Sequence, residues 1–84
     1  MSYDHTDFVA HPRKYEMYKT AVIARHIFTE DGADDLAPGT VVRVTFDRVA
    51  RNQLYRRDEP VYRVEDNGKF HGYFYANTLS EFVL

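Results

Sequence analysis

The chain has 84 residues, a net charge of −2 and no cysteine; 44% of its residues are hydrophobic and 15% aromatic, every aromatic being Tyr or Phe. That length holds one domain, that apolar content excludes a disordered chain, and the lack of thiols excludes disulfides and Cys-ligated metal. Charge is unevenly spread, with Glu30, Asp31, Asp34 and Asp35 in one short stretch and Arg43, Arg48, Arg51, Arg56 and Arg57 in another that holds only Asp47 against them. This favours a polarised surface over a chain that seeks nucleic acid with its whole charge.

Met1-Ser2-Tyr3-Asp4-His5 has neither the basic stretch nor the apolar run of a signal peptide. The longest apolar run is four residues, against the roughly 20 needed to span a bilayer. A cytoplasmic location and no membrane partner are therefore expected. Residues 1–19 read as an N-terminal arm: Pro12 suits the first position of a short helix, and Tyr15, Tyr18 and Val22 fall on one helical face, but β-branched Val22, Ile23 and Ile27 favour a strand. The expectation is a loose arm or one helical turn, then a strand over about residues 20–28 that opens a domain of residues 20–84.

Residues 29–39, with Gly32 and Pro38-Gly39, read as a loop. Residues 40–46 form the clearest strand, with Val42, Val44 and Phe46 on one face and Val41, Arg43 and Thr45 on the other. Residues 47–60 fit either an arginine-rich loop or an extended hairpin with its tip near Arg51-Asn52, closed by Pro60. A strand resumes at residues 61–65 with Tyr62 and Val64 on one face, and Asn67-Gly68 signals a two-residue type I′ turn. Residues 69–75 form the return strand, with Phe70, Gly72 and Phe74 expected on one face and His71, Tyr73 and Tyr75 on the other; residues 76–79 make a tight turn, and residues 80–84 a closing strand. The fold class expected is mainly β, a small five-stranded barrel.

Through Ala24-Arg25-His26-Ile27-Phe28, Asp34-Asp35-Leu36, Gly39-Thr40-Val41-Val42, Asn67-Gly68, Gly72-Tyr73-Phe74 and Asn77, the pattern over residues 21–84 resembles Src-homology-three-like small barrels. Ala24-Arg25-His26-Ile27-Phe28 sits where that family has its Ala-Leu-Tyr-Asp-Tyr strand. Asp34-Asp35-Leu36 followed by Gly39-Thr40-Val41-Val42 is similar to the acidic loop and Gly-started strand. Asn67-Gly68, Gly72-Tyr73-Phe74 and Asn77 resemble the distal hairpin, the Gly-Leu-Phe strand and the Pro-Ser-Asn-Tyr turn. The resemblance implies a partly open five-stranded barrel that binds partners. The family's groove Trp falls at Val61, its turn Pro at Tyr75 and its turn Tyr at Thr78, so the aromatic ridges for a polyproline helix are not carried over.

Three functions follow as expectations. The first is a non-catalytic protein-interaction module or accessory subunit that meets its partner through a Tyr-rich face and the acidic loop: Phe28, Asp34, Asp35, Tyr62, Tyr73, Tyr75 and Asn77. Tyrosine gives large contact area at low entropy cost, yet a thin barrel also uses tyrosines in its core, so exposure separates the two roles. The second is a nucleic-acid-binding barrel using Arg48, Arg51, Tyr55, Arg56 and Arg57, cations beside a stacking ring. The third is a small oligomeric barrel enzyme. No Gly-rich phosphate loop or nucleophile motif is present, His5, His11, His26 and His71 lack zinc-motif spacing, and the acidic stretch does not follow a calcium loop. No catalytic residue, cofactor or metal is expected.

Overall fold

The computed structural model describes residues 2–27 and 35–84. Phe28, Glu30, Asp31 and Asp34, and with them most of the expected acidic loop, lie outside the described residues. The elements are α1 (His5–Ala10), α2 (Pro12–Tyr15), β1 (Thr20–Ile23), β2 (Val41–Asn52), β3 (Arg57–Asp66), β4 (Lys69–Tyr75), a 3-10 turn (Ala76–Thr78) and β5 (Leu79–Val83). The five strands form one open antiparallel sheet in the order β4-β3-β2-β1-β5.

The alternation of β2 sorts its side chains as expected: Val42 and Val44 are buried while Val41, Arg43 and Thr45 face outward. Tyr62 and Val64 of β3 join them, with Ala21, Ile23, Leu36, Ala76 and Leu79, in the core. Asn67 (φ 52°) and Gly68 (φ 79°) both adopt positive φ, the conformation a type I′ turn requires and which Asn and Gly reach at least cost.

Strand β1 is shorter than expected. Its ladder to β5 ends at Ile23↔Leu79, and the next N–H, of Ala24, turns to the carbonyl of Thr78 at 2.9 Å. Residues 24–27 are therefore not the continuous strand of the resemblance; Ile27 makes only an isolated bridge to Leu36. Residues 47–60 take the hairpin alternative, with β2 and β3 paired out to Asn52↔Arg57 and the tip at residues 53–56 rather than Arg51-Asn52. Two residues disguised this ribbon. Asp47 is the extra residue of a bulge between Phe46 and Arg48, which breaks the period-two pattern. Pro60 sits inside β3 opposite Val49; the ladder to β4 starts only at Val61↔Tyr75, so a residue without an N–H is tolerated there.

The N-terminal segment takes the helical alternative rather than the loose arm, with a second short helix, α1, before the one expected at Pro12. The Asp4 carboxylate caps α1 through the N–H of Asp7 at 3.2 Å, and Pro12 opens α2. Phe8 and Tyr15 are buried, their rings edge to face at 5.3 Å. The Tyr62 hydroxyl donates to the Tyr15 carbonyl at 2.5 Å, and Lys19 bridges the sheet, its N–H bonding Val83 and its carbonyl accepting from Val44.

Burial holds the phenols of Tyr15 and Tyr62 well above their ordinary value of 10.0, reinforced in Tyr15 by its hydrogen bond to Asp7. An unfolded chain releases these protons near pH 10 while the folded chain retains them, so their contribution is complete below that pH and is lost as pH rises above it. Alkaline titration should thus show part of the seven tyrosines ionising only together with loss of the far-ultraviolet dichroism. Simultaneous ionisation of all of them with the sheet intact would contradict this burial.

Candidate interaction surfaces

Two surfaces gather the exposed aromatic and cationic side chains. The first arises from an irregularity in β4. Val64 pairs with Gly72 but Glu65 with Phe70, leaving His71 as an extra residue. The bulge reverses the facing of everything before it, so Phe70 is not on the inner face with Phe74, as strict alternation predicts, but outside with Tyr73. Phe70 is 47% and Tyr73 52% exposed, and their rings meet nearly edge to face with centroids 5.5 Å apart. Arg63, directly opposite Tyr73, lays its guanidinium 4.6 Å from the Phe70 centroid. Arg48 lies 5.9 Å from that of Tyr73. Each cation has a carboxylate at hand, Asp47 for Arg48 and Glu65 for Arg63, so this shelf presents stacked planes with little net charge.

The second surface lies where the β2–β3 ribbon meets the 3-10 turn, and it is organised by Glu59. This carboxylate is fully buried. It accepts from Arg57 Nε at 2.6 Å and from the backbone N–H of Asn77 at 3.3 Å, which ties ribbon to turn. Arg57 then stacks on Tyr55 (5.0 Å) and Tyr3 (5.6 Å). From the chain just past β1, Arg25 reaches the other members: its Nη2 donates to Asn77 Oδ1 at 2.8 Å and its guanidinium lies 5.7 Å from the Tyr55 centroid. The Tyr75 hydroxyl donates to the Arg51 carbonyl at 2.7 Å, and buried Asn52 accepts from Leu54 N at the tip. The ribbon is thus tied at several points to the rest of the sheet and to the 3-10 turn.

Of the expected partner-contact residues, Tyr62 must be withdrawn. It is completely buried, packed on Phe46 and Phe82, because its position alternates with Val64 toward the core. Tyr73 belongs to the outer shelf, whereas half-buried Tyr75 and Asn77 belong to the ribbon–turn surface, so these residues form two places rather than one face. Asp35 lies 3.4 Å from His26 Nε2; Phe28 and Asp34 are outside the described residues. Of the expected nucleic-acid set, Arg48 and Arg57 are paired to carboxylates, Arg51 faces Asp58 across the ladder, and Arg56 sits at the exposed tip with φ 53°.

Sequence reasoning missed Glu59, Arg25, Phe70, Arg63 and Tyr3. The signal for Glu59 is its even spacing from Val61 and Arg57, legible only in the extended-hairpin reading of residues 47–60. Among the described residues no group of three or more His, Cys, Asp or Glu side chains is placed to hold a metal ion, and no helix is long and apolar enough to cross a membrane. Comparison with protein-family models, curated proteins and solved structures finds no match to this chain.

Proposed function

We propose that the chain is a non-catalytic protein-interaction module or small accessory subunit of the cytoplasm, built as a partly open Src-homology-three-like barrel. The barrel reading is supported by the strand order β4-β3-β2-β1-β5 with a 3-10 turn between β4 and β5, added to the sequence resemblance. The interaction reading rests on one observation: the Phe70–Tyr73 pair stands half exposed and already ordered beneath Arg63 and Arg48. Aromatic and arginine side chains dominate binding energy at protein interfaces. Rings held in place before contact lose little entropy on binding, and local charge compensation suits a protein surface better than a polyanion. The shelf is a contact surface for another protein.

Tyr73→Ala is expected to weaken capture of the partner at least tenfold, about 1.4 kcal/mol or more. The thermal midpoint should stay within a few degrees of the parent, since the ring contributes little to the core. Undiminished capture would remove the shelf as the contact; a large fall in midpoint would make Tyr73 a structural residue.

A nucleic-acid reading is favoured by one feature, the projecting ribbon with Tyr55 held against two guanidiniums. It ranks second because Asp47 and Glu59 pair with Arg48 and Arg57, and Asp58 stands opposite Arg51 in the ladder. Its mark would be oligonucleotide binding that falls steeply with added salt.

A further inference from the structure

We propose that Arg25, with Tyr55 and Asn77, is a receptor for a side-chain carboxylate of an acidic, partly apolar peptide segment. This rests on the protein-binding reading above and names the chemistry of the partner at a second surface.

Three separate parts of the chain converge here: the segment just past β1, the ribbon tip and the 3-10 turn. Two guanidiniums approach the ring of Tyr55, at 5.7 Å and 5.0 Å. The charge of Arg57 is answered by buried Glu59. That of Arg25 is not: its contacts are the neutral amide oxygen of Asn77 and the Tyr55 ring, and no carboxylate pairs with it among the described residues. A cation held in place by neutral groups, beside a second cation, leaves an attractive field for an anion.

The geometry also selects the anion. Only Nη2 of Arg25 is used by Asn77, so the guanidinium retains a free edge whose fork matches the two oxygens of a carboxylate. A nucleic acid needs a track of cations to follow its phosphates, whereas the neighbouring ribbon has Arg48 and Arg57 paired to carboxylates and Arg51 opposite Asp58. Leu54 (78% exposed) and Tyr55 (37% exposed) flank the spot and give an apolar neighbour of the acidic residue somewhere to rest. Glu59 fixes Arg57 and the backbone of the turn from within.

The test is a nuclear magnetic resonance titration of the full chain with an acetylated, amidated Ala-Glu-Leu-Glu-Ala peptide. The controls are the same peptide with Gln in place of Glu and a short oligothymidylate. Saturable shifts of the Arg25 Nε–H and of the Tyr55 and Asn77 amides with the Glu peptide, absent with the Gln peptide, are expected. Arg25→Gln should reduce affinity at least tenfold while Arg56→Gln, at the neighbouring tip, changes it less than threefold, both variants keeping the parent's melting midpoint. Equal response to the Gln peptide, no response to either, or unchanged affinity in Arg25→Gln overturns the proposal, as does tighter binding of the oligothymidylate at these groups. If Tyr73→Ala abolishes partner capture and Arg25→Gln does not, this receptor falls and the protein-binding reading stands; if neither does, both fall.

Discussion

Tyr62→Ala is expected to lower the folding free energy by about 3–5 kcal/mol, most of what a domain of this size has to lose. This one ring joins three parts of the molecule. It is fully buried in β3, packs against Phe46 of β2 and Phe82 of β5, and its hydroxyl holds the carbonyl at the end of α2. Tyr62→Phe separates the two contributions: it retains the packing and leaves the Tyr15 carbonyl without its donor, for a loss of about 1–2 kcal/mol. Urea denaturation measures both. A loss below about 1 kcal/mol for the alanine variant, a value ordinary for surface positions, would show that the ring does not sit in the core.

Glu59→Ala should give the second largest effect, and of a different kind. Breaking a fully buried ion pair costs about 3–5 kcal/mol; Arg57 is 31% exposed and regains water once released, which reduces the expected loss to about 2–3 kcal/mol. The diagnostic consequence is local. Without the carboxylate the Asn77 N–H loses its acceptor and Arg57 its anchor, so ribbon and turn part. Amide exchange should accelerate at residues 53–57 and 76–78 while the amides of β1 and of the buried half of β2 remain protected. Glu59→Gln, which keeps an acceptor for Asn77, should preserve much of the protection at the turn. Uniform acceleration across the chain would instead place Glu59 in the general stability of the fold.

These two residues also mark where the sequence was and was not legible. Features set by local chemistry were readable: the Asn67-Gly68 turn by its backbone preferences, the inner face of β2 by Val42 and Val44, the bounds of β4 by the turns on either side. Features set by irregular pairing were not. One extra residue at Asp47 and another at His71 shift the side-chain alternation, and the second of these carries Phe70 to the outside. Pro60 looked like the end of a loop because the tolerance for it depends on where the β4 ladder stops, which no local pattern encodes. Pro12 marked the start of the four-residue α2, whereas the six-residue α1 is too short to display a period and depends on burial of Phe8. Tyr62 was misassigned to a surface since a tyrosine's role is decided by whether its hydroxyl finds a partner inside, here a backbone carbonyl 47 residues away in sequence.

The candidate surfaces were legible in composition more than in arrangement. An excess of tyrosine and a run of arginines pointed to contact chemistry. Which arginine lies over which ring, and which is left without a carboxylate, follows only from the ladder register and from Glu59.

The most direct measurement is hydrogen–deuterium exchange of the full chain, alone and bound to the protein it captures from its native source. Added protection is expected over residues 70–75 of β4 and over the ribbon tip at residues 53–57, with the two N-terminal helices unchanged. Protection confined to residues 5–15, or to the β5 edge, would contradict it.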